Sequence, residues 1–294
     1  MTRQSAASKS HDVAIIGCGL MGSALARVLA GNGHSVVAWN RTPARSEALV
    51  PYGITPLESA AEAVAAASLV IACTSTYDST RSSLEAAKRW DGTTLVNLAT
   101  GTREEAEQMQ RWTRERGGEY LDGAIFCYPR EVGAPEAKFL FSGAESTWSR
   151  YSTTLQLFGG DVAFVSPQAG LANVILMGTA AFYIPAICSY VEAATYMVSQ
   201  GLAIEAARAS TLHALDNLRN VTEEVFAAIE SGDHADDQAT LDTYAEGLRT
   251  VQGQLRRVGQ RAPILDAAMG QVEEARDAGL AELGISAQSK LLRS

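Results

Sequence analysis

Apolar positions in the first half of the chain fall into short runs of strand length, separated by segments with helical composition. Asp12-Val13-Ala14-Ile15-Ile16 is such a run. It leads at once into Gly17-Cys18-Gly19-Leu20-Met21-Gly22 and then into residues 23–30, a stretch of good helix formers. Further apolar runs at residues 35–39, 67–73, 95–98, 120–125, 139–141 and 161–165 predict strands, and residues 43–50, 58–66 and 102–117 predict helices between them. Strands that alternate with helices at this spacing predict a doubly wound α/β domain: a parallel sheet with helices on both faces. From residue 166 the pattern is helical only, with one long apolar helix at about 168–200 and amphipathic segments near 203–231, 235–258 and 262–280. The expected organisation is a disordered polar tail at residues 1–10, an α/β domain at 11–166 and an all-helical domain at 167–294.

The length of 294 residues, with 47% hydrophobic and 19% charged positions, belongs to a folded globular protein and excludes extended disorder. A net charge of −9 argues against a surface that collects nucleic-acid phosphates. Cys18, Cys73, Cys127 and Cys188 lie far apart with no C-x-x-C pair and no His at ligand spacing, so packed, reduced thiols and no metal site are expected. The polar opening residues lack the apolar core of a secretory signal, which points to a cytoplasmic protein. Residues 162–191 contain no Asp, Glu, Lys or Arg, a length sufficient to span a bilayer. Gln168, Asn173, Pro185 and Ser189 interrupt that stretch, and a helix apolar all round also suits a domain centre or a subunit interface; no membrane association is expected.

Chemistry enters with the glycines. Gly17, Gly19 and Gly22 stand at G-x-G-x-x-G spacing between a strand and a helix, with Leu20 and Met21 inside the turn. In that context the first glycine permits the tight turn, the second admits a pyrophosphate to the backbone, and the third lets helix and strand pack closely. The second strand ends about twenty residues on at Asn40-Arg41-Thr42, where a carboxylate for a ribose 2′-hydroxyl is missing. Arg41 offers a guanidinium for a 2′-phosphate, with Asn40 and Thr42 as neutral donors, so NADPH is the expected cofactor rather than NADH.

These residues resemble those of the β-hydroxyacid dehydrogenase superfamily, whose members join a Rossmann domain to an all-helical domain. Within it, Cys73-Thr74-Ser75-Thr76-Tyr77-Asp78, Asn97-Leu98-Ala99-Thr100-Gly101-Thr102 and Tyr120-Leu121-Asp122-Gly123-Ala124-Ile125, followed by Tyr128-Pro129, are similar to the imine reductases. The resemblance implies NADPH-dependent reduction of a C=N bond, with the nicotinamide near Thr74, Ser75 and Thr100. It also implies a homodimer whose helical dimerisation domains intertwine, each site being shared between subunits.

Departures from that pattern shape the mechanism. Hydroxyacid dehydrogenases place a catalytic lysine early in the long helix, yet no lysine lies between Lys138 and Lys290. Their Ser-Gly-Gly turn for a substrate carboxylate is replaced by Phe126-Cys127-Tyr128, so a largely apolar substrate is expected. Imine reductases commonly carry Asp, Tyr or Asn where this chain has Leu176; Asn173, three residues earlier, is the nearest polar side chain on that face. Tyr183, two turns beyond Leu176, is the first candidate proton donor and Tyr128 the second. Pro185 is expected to bend the helix beside Tyr183. Asp242 and Tyr244 are candidate pocket residues from the partner subunit. Asp233, Asp236 and Asp237 read as a loop and helix start, and His213 and His234 as structural or surface residues. Two alternatives stand beside the reductase: a divergent hydroxyacid or carbonyl dehydrogenase, and an NADPH-binding protein without catalysis.

Overall fold

The computed structural model describes residues 9–236 and 238–292; residues 1–8 of the expected disordered tail at 1–10 and Asp237 lie outside the described residues, whereas Lys9, expected in that tail, donates to the Thr93 hydroxyl at 2.8 Å. The chain divides into two compact units, one through Thr179 and one from Ala180 onward.

The first unit holds an eight-stranded sheet in the order β3-β2-β1-β4-β5-β6-β7-β8. Its strands are β1 (His11–Ile16), β2 (Val36–Trp39), β3 (Thr55–Pro56), β4 (Ala67–Ala72), β5 (Thr94–Asn97), β6 (Glu119–Ile125), β7 (Lys138–Gly143) and β8 (Asp161–Ser166). Helices α1 (Leu20–Gly31), α2 (Pro43–Glu47), α3 (Ala60–Ala66), α4 (Tyr77–Leu84), α5 (Arg103–Glu115) and α6 (Glu145–Leu155) connect them. Alternate residues of each strand serve opposite faces. Val13, Ile15, Leu69 and Ile71 pack with Leu25 and Leu29 of α1 and Leu155 of α6, while Ala14, Ile16 and Val70 pack with Val64 of α3, Leu84 of α4 and Met109 and Trp112 of α5.

Three features correct the sequence reading. First, the sheet is parallel throughout except that β7 runs antiparallel to β6, with Asp122 opposite Ser142. Residues 126–137 contain only a single 3-10 turn at Pro129–Glu131, so the chain has no crossover helix with which to return to the other end of the sheet. Second, the alternation missed α4 and α6, whose Ser- and Thr-rich sequences have modest helix propensity; α4 is started by the Thr76 hydroxyl, which accepts from the Ser79 amide at 3.1 Å. Third, Cys188 is exposed, while Cys18 is buried and all four thiols are free.

The long helix α7 (Leu171–Ser199) continues through Pro185 and buries only Ala172 and Asn173. By length and composition it is apolar enough to cross a membrane, a property shared by core helices of soluble proteins. Phe182, Ile184 and Val191 are each more than half exposed. The second unit adds α8 (Ile204–Ser231), α9 (Leu241–Arg257) and α10 (Pro263–Ala275) around a small core of Leu241, Ala245, Met269 and Val272. α9 begins later than expected, at Leu241; before it, Asp233 accepts from the amide of Ala235 at 3.0 Å and Asp236 from that of Gln238 at 2.8 Å, side-chain bonds that compete with helix. Glu192 of α7 accepts from the Ile264 and Leu265 amides at 2.9 and 3.3 Å, supplying the start of α10 with the cap that Ala262 lacks. His234 is buried against Ser286 at 2.9 Å, and His213 lies on an exposed face of α8.

Candidate cofactor and substrate site

The glycine turn is built by contact distances that leave no choice of residue. Gly17 has φ +96°, and a Cβ there would sit 2.4 Å from the Cys73 carbonyl oxygen; a Cβ on Gly22 would sit 1.8 Å from the carbonyl oxygen of Gly17. Around Gly19, by contrast, a Cβ meets nothing within 4 Å. α1 starts there with no side-chain cap and no acidic residue in its first turn, so its leading N–H groups and positive dipole end face open space. A cradle that is closed on the sheet side and open on the helix N-terminal side fits a pyrophosphate.

The turn is tied to the end of β2 by Asn40, whose Oδ1 accepts from the Cys18 amide at 2.9 Å while its Nδ2 donates to the Thr42 carbonyl at 3.0 Å. Both ends of the Asn40 amide are thus engaged with backbone. Arg41 is exposed and has no hydrogen-bond or ion-pair partner among the described residues. The guanidinium of Arg45 in α2, four residues further along and passed over by the sequence reading, is likewise exposed and has no hydrogen-bond or ion-pair partner among the described residues. Burial pushes the Cys18 thiol up to about 11 and that of Cys73 up to about 12, so neither beside the turn is a thiolate at neutral pH.

Thr74 follows β4 and is held by its neighbours: its hydroxyl donates to the Thr76 carbonyl at 3.0 Å and lies 2.7 Å from that of Thr80, which donates to Asn97 Oδ1 at 3.0 Å. Ser75 and Thr100 are exposed at the strand ends. Leu20, 83% exposed at the start of α1, lines an open cavity of about 520 Å³ together with Tyr128, Pro129 and Arg130. The structure therefore brings Tyr128 to the glycine turn, with the Arg130 guanidinium 5.6 Å from the centre of its ring. Phe126 and Leu176 meet on one small apolar cluster with Ala124, Leu140 and Ala172. Met21 packs against the core beside the turn.

Asn173 is fully buried, and its surroundings contain the part of the site that sequence reasoning did not single out. Asp122 of β6 is also fully buried. It accepts from the hydroxyls of Tyr77 and Tyr120, the latter at 3.1 Å, and from Asn173 Nδ2 at 2.9 Å. No cation pairs with it among the described residues. Burial raises its pKa from 3.8 to about 6 in spite of these donors, and raises those of both tyrosines. The available signal was an aspartate in the middle of an apolar run of strand length.

Because the folded state holds the Asp122 proton more tightly than the unfolded chain, this group favours folding most below its unfolded pKa of 3.8, and that contribution is lost as pH rises through about 6. Over that window the unfolding free energy of the wild type is expected to fall relative to Asp122→Asn by on the order of 3 kcal/mol. Denaturant titrations of both proteins from pH 4 to pH 7 read this difference, and a constant gap between them would refute it.

Tyr183 lies on an exposed part of α7. In the second unit, Tyr244 is 37% exposed on α9, and the Asp242 carboxylate receives the Arg276 guanidinium, whose Nε donates at 2.7 Å.

A strand, a three-glycine turn with an uncapped helix behind it, and a second strand closed by free arginines define a dinucleotide-binding α/β domain. The chain belongs to the NAD-binding domain family of 6-phosphogluconate dehydrogenase, whose pattern matches residues 12–167. It is 30% identical over 167 residues to an NADPH-dependent reductive aminase of Aspergillus oryzae, a match covering 56% of each chain. It is 27% identical over 153 residues to a probable 3-hydroxyisobutyrate dehydrogenase of Mycobacterium tuberculosis, covering 51% of this chain and 52% of that one. Both relatives are oxidoreductases by name, and the chain spans about half the length of the curated relatives it matches. The solved structure of an imine reductase from a Pseudomonas species is similar over 97% of this chain and 100% of its own, with 28% identity and a TM-score of 0.90.

Proposed function

We propose that the protein is an NADPH-dependent oxidoreductase that reduces C=N bonds, imine or iminium to amine, on a largely apolar substrate. The observation that carries this reading is the similarity to an imine reductase structure over nearly the whole chain, both domains included. The absence of lysine from α7 supports it against a hydroxyacid dehydrogenase, which needs an acid and base at the alcohol carbon.

In this reading the N–H groups at the start of α1 and the backbone of Gly17, Gly19, Leu20, Met21 and Gly22 hold the pyrophosphate, and Arg41 and Arg45 hold the 2′-phosphate. Asn40 and Thr42 shape the turn beneath that phosphate. Thr74, Ser75 and Thr100 border the nicotinamide at the strand ends. The chemistry supplied by bound NADPH is a hydride for the substrate carbon. Phe126, Leu176 and Tyr128 give the substrate an apolar surface and keep water away from the reacting bond. An iminium arrives already protonated and needs only positioning. For a neutral imine the Tyr183 hydroxyl donates the proton at nitrogen, with Tyr128 as the second choice. A second copy of the chain covers the exposed apolar residues of α7 and α8 and contributes Asp242 and Tyr244 to the pocket.

The test is NADPH oxidation against cyclic imines, preformed iminium ions, ketoacids and hydroxyacids, with NADH in parallel. Turnover of C=N substrates with NADPH is expected; turnover of hydroxyacids alone would favour the dehydrogenase reading, and tight NADPH binding with no turnover the non-catalytic one. Tyr183→Phe is expected to lower turnover of neutral imines by about 100-fold and that of iminium ions by less than about threefold. Equal losses on both substrates would remove Tyr183 from the proton-donor role.

A further inference from the structure

Asn97, Asp122 and Ser142 form a polar row across three adjacent strands, since Asn97 is in register with Asp122 and Asp122 with Ser142. All three are fully buried. This row receives the first turn of α7. Ser142 Oγ accepts from the Ala172 amide at 3.2 Å, and Asp122 accepts from the Asn173 side chain at 2.9 Å. Asn173 then reaches outward: its Nδ2 also donates to the Tyr77 hydroxyl at 2.9 Å, and its Oδ1 accepts from the Gly101 amide at 3.3 Å. Gly101 directly follows Thr100.

The fit around this contact is close on every side. A Cβ on Gly101 would lie 2.5 Å from the Tyr77 ring, and one on Gly170 would lie 2.8 Å from Cα of Arg103. Arg103 also donates to the Gln168 side chain at 3.1 Å, just before α7. The Asn173 side chain therefore ties the loop after β5 to the start of α7, next to the Arg103–Gln168 bond. The orientation of that asparagine is set by the buried carboxylate, because an acceptor-only group on one side requires Nδ2 there and leaves Oδ1 for the loop.

We propose that Asp122 is a positioning residue which, through Asn173 and Tyr77, locks the loop bearing Thr100 against the first turns of α7, fixing Thr100 relative to Leu176 one turn beyond Asn173. This deepens the reductase reading and rests on it for the role of Thr100. A carboxylate with no cation beside it among the described residues, satisfied by three neutral side-chain donors, is a costly way to build a core but an effective way to fix one hydrogen-bonding orientation. Misplacement of a reacting group by about 1 Å is enough to cost about 100-fold in rate.

The test has two independent readouts. Amide exchange of residues 98–103 in the cofactor-free protein reads the lock directly; about 10-fold faster exchange is expected in Asn173→Ala, Tyr77→Phe and Asp122→Asn, with the glycine turn unchanged. The Asp122→Asn and Asn173→Ala double variant is expected to exchange no faster than the faster single variant, since both act on one tether. In turnover, Asn173→Ala is expected to lower kcat by about 30-fold or more while KM for NADPH stays within about threefold, because the phosphate contacts lie elsewhere. Unchanged exchange in Asn173→Ala and Tyr77→Phe, which leave the carboxylate in place, overturns the lock whatever the activity. Faster exchange with unchanged kcat overturns instead the placement of Thr100 at the reacting group.

Discussion

Gly22→Ala is expected to abolish NADPH binding, with a loss of at least about 100-fold in affinity, and to lower the melting temperature. The added methyl would lie 1.8 Å from the carbonyl oxygen of Gly17, a backbone atom that has no rotamer to escape into. Relief requires α1 to move off β1, and Leu25 and Leu29 of α1 lie in the core beneath it. Both the packing and the aim of the helix N-terminus are lost together. Gly19→Ala is the informative partner. Its methyl meets no protein atom within 4 Å, so the melting temperature is expected to hold while NADPH affinity still falls by about 10-fold. Titration of NADPH fluorescence alongside thermal unfolding separates the two effects. A Gly19→Ala protein that binds NADPH like the wild type would show that the phosphates do not approach the turn.

Removal of Arg41 and Arg45 together is expected to reduce the preference for NADPH over NADH by about 100-fold or more. Each guanidinium is exposed and without a carboxylate partner among the described residues, so neither must give up an existing ion pair to engage a dianionic 2′-phosphate. Charge-assisted hydrogen bonds contribute about 1.5–3 kcal/mol each, and two of them set the expected scale. The loss should appear in KM for NADPH, with NADH kinetics and kcat little changed, because the contact is remote from the reacting atoms. Single variants are expected to divide the effect unequally, and Arg41, nearer the end of β2, to carry more of it. Equal weakening of NADPH and NADH would assign the arginines to the pyrophosphate or to the fold.

Local order along the chain determined much of this protein. A strand is written in the apolar run Val13 to Ile16, a helix in residues 23–30, and the turn between them needs glycines whose spacing is visible without any structure. The absence of a carboxylate after Trp39 and of lysine in the long helix are equally local facts, and each bears on the chemistry. Tertiary structure decided what local order leaves open. β7 reverses because residues 126–137 fold into a short connection, a matter of where the chain can travel rather than of what each residue prefers. Arg45 stands exposed on a short helix that the sequence placed but did not orient. Above all, the Asp122 cluster unites residues 45 to 96 positions apart, from α4, β6 and α7. Nothing in the neighbourhood of Tyr77 or Asn173 in the sequence announces a common partner. A buried carboxylate acquires its meaning only when folding removes water and leaves a few distant donors to replace it.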